Sequence, residues 1–191
     1  MARSHPLALH RVAIVAVVAA LAALAFLALR GPEGFQRFFY PLAYTDEIAA
    51  SAERHRINPY LVAAVINEES GFDAGVESRA GAVGLMQVMP TTADELRMRG
   101  LVDEEVVAAG LTDPAANIEY GTAYLRLLVE RYHEIETALA AYNAGLRHAD
   151  RWAAEGGDIR EAIAFPETRH FVVRVVRAKE RYEELYPDAF E

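Results

Sequence analysis

The sequence predicts an all-α domain preceded by a membrane-spanning helix, on three observations. From Thr45 onward the apolar residues recur with helical spacing. No run alternates with the period of two that marks a half-buried strand. Near the N-terminus the eighteen residues from Val12 to Leu29 are apolar without a break, nearly enough to span a hydrocarbon core. The 191 residues otherwise suffice for one domain of ordinary size. The expected division is a span over 1–30, a juxtamembrane linker over 31–44 and a single domain over 45–187.

The first element is flanked by Arg3 and Arg11 on one side and by Arg30 on the other. It has no polar face, which argues against an ordinary core helix. The run exceeds the usual h-region of a signal peptide, and its one small-x-small pattern, Ala23-Leu24-Ala25, lies inside it. An uncleaved anchor is therefore favoured, with secretion after signal cleavage as the alternative. Positive charge ahead of the span keeps the N-terminus in the cytoplasm and puts the domain on the extracytoplasmic side of the cytoplasmic membrane. Gly31-Pro32-Glu33-Gly34 then breaks the helix, and Phe38-Phe39-Tyr40-Pro41 sets aromatics at the height of a membrane interface.

Thr45 caps a helix running to Arg54, and Asn58-Pro59 opens the next with Asn as N-cap and Pro at the first helical position. Thr91 with Asp94 forms a capping-box-like start to a helix that ends before Gly100. Asp113-Pro114 caps a long helix whose apolar face runs through Ile118, Gly121, Leu125, Leu128 and Tyr132. A helix from Ile135 ends near Gly145, a short one spans His148 to Ala154, and Pro166 introduces a last one reaching about Leu185.

The net charge of −9 hides an asymmetry: beyond residue 30 there are sixteen basic and twenty-eight acidic groups, a net −12. Such a surface repels nucleic acid. It is equally unsuited to capturing an anionic polymer by charge, so a polysaccharide would be held by hydrogen bonds and stacking in a cleft. With no cysteine there is neither a disulfide framework nor a thiolate metal site.

Chemistry concentrates in four segments. Val62, Val65, Ile66 and Glu69 fall at i, i+3, i+4 and i+7, which sets the Glu69 carboxyl at the end of an apolar stripe where burial would raise its pKa. The same spacing relates Leu61, Ala64, Val65 and Glu68, so periodicity alone prefers Glu69 only weakly. In Ser78-Arg79-Ala80-Gly81-Ala82-Val83-Gly84-Leu85-Met86-Gln87-Val88-Met89-Pro90 the glycines allow a tight backbone path beside a ligand. Gln87 there can donate and accept, and Met89 can supply apolar floor. Ala141-Tyr142-Asn143-Ala144-Gly145 ends one helix, and Pro166-Glu167-Thr168-Arg169 starts another, where an acid also suits the helix dipole. For Asn117-Ile118 with Gly121, helix packing with close approach at the glycine is the preferred reading.

Taken together, these residues resemble the catalytic domain of the soluble lytic transglycosylase family, whose members cut the glycan strands of peptidoglycan and share a lysozyme-like fold. The resemblance runs from about Phe38 to Tyr186, and from Ser78 to Ala93 the family's signature is nearly complete. It implies that Glu69, in Glu69-Ser70-Gly71-Phe72, is the catalytic acid. It further implies that Ser78, Gln87, Met89, Tyr142, Asn143 and Glu167 contact the glycan. Two departures are Leu146-Arg147, where the family often has Pro-Gly, and His170-Phe171, where many members have a residue followed by Tyr.

Most glycosidases need two carboxylates, whereas these motifs offer one clear acid. The resemblance implies a reaction for which one suffices and no metal or other cofactor is needed. In it, Glu69 protonates the bond between N-acetylmuramic acid and N-acetylglucosamine and then takes the proton of the C6 hydroxyl, closing a 1,6-anhydro ring. The alternatives are a goose-lysozyme-like muramidase in which water attacks, a muramidase specialised to open the wall for a secretion machine, and an inactive wall-binding or scaffolding protein. The partners expected are glycan strands and, through the N-terminal helix, the cytoplasmic membrane.

Overall fold

The computed structural model describes residues 6–191, and a break between Tyr40 and Pro41 separates two compact units. The first holds α1 (Pro6–Arg30) and α2 (Glu33–Phe39). Within α1, His10–Leu27 has a mean hydropathy of 2.2 and none of its residues is buried. Gly31 ends this helix at a point no other residue fits, since a Cβ there would lie 2.3 Å from the Leu27 carbonyl oxygen. Part of the expected linker is thus helical.

The second unit is built from α3 (Thr45–His55), α4 (Pro59–Ser70), α5 (Pro90–Met98), α6 (Glu104–Val107), α7 (Pro114–Tyr132), α8 (Ile135–Ala144), α9 (Leu146–Glu155), α10 (Ile159–Ala162) and α11 (Pro166–Leu185). Among the described residues there is no strand, only isolated bridges joining Val83 to Glu77 and to Val88. The fold is all-α, as the periodicity predicts.

Two helices form the centre. Leu61 to Ile66 of α4 are buried without exception, and α11 packs along this helix. A helix apolar on every side belongs in the interior. Its start is fixed by Asn58, whose side chain accepts from the Tyr60 and Leu61 N–H groups. In α7, residues 116–123 are all buried, and the helix packs on α3, α5, α6 and α8. Asp113 caps it by accepting from the Ala116 N–H.

Two caps differ from expectation. Tyr44, in the left-handed conformation at φ 56°, occupies the N-cap of α3, and Thr45 is already the first helical residue. Met89, not Thr91, precedes α5, because Pro90 has no N–H to satisfy and its fixed φ suits the first turn. Neither helix has a side-chain cap bond.

The interior of α7 carries an ion. The Glu119 side chain is 0% exposed. Its Oε2 accepts from Ser51 Oγ at 2.8 Å and from Arg54 Nη2 at 2.8 Å, and its Oε1 from His55 Nε2 at 2.8 Å and the Asp103 N–H at 3.2 Å. One carboxylate thereby ties α3 and the start of α6 to α7. Burial alone would raise its pKa, but the hydrogen bonds from His55, Arg54 and Ser51 prevail and lower it to about 2.

Because the folded value lies below the ordinary 4.5, the stability Glu119 contributes is complete above about pH 4.5 and is lost as pH falls toward 2. Glu119→Ala should cost about 3–5 kcal/mol in urea unfolding at pH 7, the range for breaking a buried pair. It should also flatten the acid limb of the stability curve. A loss below about 1 kcal/mol would show that water or repacking replaces the carboxylate.

Candidate active site

The site forms where the C-terminal end of α4, the loop over 71–89, the middle of α7 and the end of α8 meet. The loop is shaped by left-handed residues: Gly81 at φ 85°, Gly84 at 75° and Gln87 at 47°. Val83 and Val88 exchange backbone hydrogen bonds of 3.1 and 3.0 Å, closing a tight turn over 83–88.

What holds that turn is Asn117. Its Nδ2 donates to the carbonyls of Val83 at 2.8 Å and Leu111 at 2.9 Å, and its Oδ1 accepts from the Met86 N–H at 2.8 Å. The fit is tight in both directions. A Cβ at Gly84 would lie 2.4 Å from Asn117 Nδ2, and one at Gly121 would lie 2.4 Å from Met86 Sδ. From α4, Ser70 Oγ lies 2.9 Å from the Leu85 carbonyl and 3.1 Å from that of Ile66. The loop is therefore fixed to both central helices.

The two adjacent acids of α4 part company here. Glu68 is taken up by an ion pair with Arg174 of α11. Glu69 has no hydrogen-bond or ion-pair partner among the described residues, and burial, with a smaller contribution from the Glu68 charge, raises its pKa from 4.5 to about 7. A half-buried carboxyl near neutrality can both give and take a proton. Tyr142 stands close to it: its hydroxyl donates to the Met86 carbonyl at 2.8 Å, and burial first, then the Glu69 charge, holds its pKa well above 10.

A pocket of about 290 Å³ opens beside this pair, lined by Gln87, Met89, Thr92, Tyr124, Tyr142 and Asn143 among others. No Asp or Glu lines it. The rings of Tyr124 and Tyr142 lie 5.4 Å apart and form one wall. Leu85 and Met86 are buried in the core, Val88 is buried but also lines the pocket, and Met89 is 36% exposed and faces it. Gln87 Nε2 donates to the Val76 and Gly84 carbonyls, which leaves Oε1 as the free atom of the amide among the described residues. From the pocket a groove continues between α5 and α7, past Thr92 and Tyr124 to Arg99, Leu127 and Leu146.

Of the residues singled out in the sequence, Gln87, Met89, Tyr142 and Asn143 thus share one pocket, with Glu69 beside Tyr142. Asn143 Oδ1 also accepts from the buried Thr168 Oγ1 at 2.7 Å, joining α8 to α11. Ser78 lies outside the lining, where its Oγ accepts from the Ala82 N–H at 2.9 Å and closes the turn over 78–82. Glu167 also lies outside it, exposed in the first turn of α11. Asn117 is the functional residue that sequence reasoning passed over as helix packing.

With this geometry in place, the likenesses to known proteins can be weighed. Residues 46–164 match the family model described as the transglycosylase SLT domain. The chain belongs to that family. It is 36% identical over 114 residues to a transglycosylase of Enterobacteria phage PRD1, covering 60% of this chain and 39% of the phage protein. It is 32% identical over 133 residues to the soluble lytic murein transglycosylase of Salmonella typhimurium, covering 69% and 21%. Among solved structures, the 70 kDa soluble lytic transglycosylase of Escherichia coli superposes with a TM-score of 0.70 at 30% identity, over 78% of this chain and 25% of that one. The chain therefore spans two fifths or less of the length of these relatives, and the lysozyme-like helical fold implied by the sequence is the one it has.

Two outcomes are expected from this geometry. Asn117→Ala leaves the Leu111 carbonyl and the Met86 N–H without partners and removes one of the two donors to the Val83 carbonyl, and should cost on the order of 3 kcal/mol in denaturant unfolding. Asn117→Asp should be no better at neutral pH, because it turns a carboxylate oxygen toward two carbonyls. For Glu69 the folded pKa lies above the ordinary value, so the stability linked to its proton is complete below about pH 4.5 and is lost as pH rises through about 7. Comparing the unfolding of wild type and Glu69→Gln from pH 4 to 9 should show this loss only in the wild type; parallel curves would place the carboxyl in water.

Proposed function

We propose that this chain is a peptidoglycan lytic transglycosylase that cleaves the β-1,4 bond between N-acetylmuramic acid and N-acetylglucosamine and leaves a 1,6-anhydro-muramyl end. The observation that carries the reading is Glu69: a half-buried carboxyl with no partner among the described residues, its pKa raised to about 7, standing beside the Tyr142 that walls the pocket. The Salmonella typhimurium relative is by its name a murein transglycosylase, and the site residues fit that chemistry.

In this reading Glu69 starts protonated and gives its proton to the glycosidic oxygen as the bond breaks. The anomeric cation is stabilised by the sugar's own acetamido oxygen, so no protein nucleophile is called for. Glu69, now a carboxylate, removes the proton of the C6 hydroxyl, and that oxygen closes on the anomeric carbon. The proton given and the proton taken balance, and no water is consumed. Hydrolysis by inversion or retention calls for a second carboxylate across the bond, whereas this route needs Glu69 alone.

Tyr142 orients the reacting region from its bond to the Met86 carbonyl, while Gln87 Oε1 and Asn143 meet the polar groups of the sugar and Met89 its apolar face. Ser78 serves the substrate by holding the loop, and Glu167 lies where an incoming strand would pass α11. The helix α1 anchors the chain in the cytoplasmic membrane with residues 45–187 as the catalytic domain on the outer side, in keeping with the arginines ahead of the span.

Mass spectrometry of muropeptides released from purified peptidoglycan by the detergent-solubilised chain tests the reaction. Products one water lighter than those of lysozyme, and absent with Glu69→Gln, are expected. Reducing-end products would make the chain a muramidase, and no products from folded protein would favour a binding role. Glu69→Gln should lower the rate about 10²–10⁴-fold. The wild-type rate should fall about tenfold per pH unit above pH 7, as the acid form is lost.

A further inference from the structure

We infer that α2 is a membrane-surface helix whose phenylalanines lie in the headgroup layer of the bilayer that α1 crosses. This rests on the anchor reading of α1 and extends it to a second lipid contact.

Phe35, Phe38 and Phe39 stand at i, i+3 and i+4 and so share one face of α2, with Gln36 and Arg37 on the other. The three rings form one cluster, Phe39 lying 5.4 Å from both Phe35 and Phe38. Yet Phe38 is 79% and Phe39 37% exposed. A helix of seven residues is too short to persist on its own propensity, and a face of aromatic rings is a poor surface to offer to water. Both facts call for a covering layer.

The elbow between the helices says which layer. Gly31 stops α1 directly after its apolar run, and the Gln36 side chain, itself buried, reaches back to donate to the Gly31 carbonyl at 2.5 Å. The aromatic face is thereby pinned within a few residues of where the hydrocarbon-spanning stretch ends. At that depth a bilayer presents its interfacial zone, which favours aromatic rings from one side and charged groups from the other. The occupant is therefore lipid, and continuity with α1 is the argument for it.

The test uses the absence of cysteine from the chain. Phe38→Cys, Val18→Cys and Met98→Cys are labelled singly with an environment-sensitive fluorophore. Each full-length variant is then reconstituted in phosphatidylethanolamine–phosphatidylglycerol vesicles carrying spin-labelled lipid, with the label near the headgroup or deep in the acyl chain. Position 18 should be quenched more by the deep label. Position 38 should emit to the blue of its value in water and be quenched several-fold more by the shallow label. Position 98, on the 81% exposed Met98 of the second unit, should stay water-like and unquenched. If position 18 reports the bilayer core while position 38 is water-like, or is shielded from lipid and water alike, the inference falls and the anchor stands. If position 18 is not quenched either, the anchor reading fails and takes the inference with it.

Discussion

The site depends on the rule that a buried polar group must find partners, applied to the Asn117 carboxamide. A loop with glycines at 81 and 84 and a left-handed Gln87 has little conformational preference of its own, and the carboxamide supplies what the loop lacks. Its two N–H groups meet the Val83 and Leu111 carbonyls and its oxygen the Met86 N–H, of which only the Val83 carbonyl has a second partner, the Val88 N–H. Two residues further along the same helix, Glu119 performs the corresponding task for α3 and α6. The polar content of α7 is thus the frame of the second unit, with apolar burial packed around it.

The raised pKa of Glu69 is a matter of what has been kept away from it. Its neighbour Glu68 has the same residue type one position earlier on the same helix, but Arg174 reaches across from α11 and neutralises it. Among the described residues no cation or amide reaches Glu69, so desolvation acts unopposed and the proton is held to about pH 7. Glu119 makes the opposite case within one domain: it is more deeply buried, but with donors on every side it is held to about 2. Burial sets the cost of the charge, and the hydrogen bonds decide whether it is met.

Much of this could be read from the sequence, for reasons that are local. Asn58-Pro59, Asp113-Pro114 and Pro166 mark helix starts because a proline fixes the first turn whatever lies elsewhere. The stripe ending at Glu69 and the glycine-punctuated loop are also local patterns. What escaped is long-range or very short. Ser51 and Glu119 are 68 residues apart, and Glu68 and Arg174 106 apart, so spacing within one helix carries no information about either pair. The four-residue α6 and α10 span barely one helical turn, too short for a periodicity to repeat. Thr45 and Thr91 misled because a hydroxyl near a helix start is only one of several ways to begin a helix, and a left-handed Tyr44 or a Pro90 serves as well.

The two tight approaches between loop and helix have a mechanical consequence. Met86 of the loop fills the space over Gly121 of the helix, and Asn117 of the helix fills the space over Gly84 of the loop. Knob and hole are exchanged in both directions, so sliding the loop along α7, or rolling it, drives a side chain into backbone at one point or the other. Loop and helix consequently move as one rigid body. The end of α8 joins the same body, since its buried Leu139 and Ala141 pack in the core and Tyr142 bonds to the Met86 carbonyl of the loop.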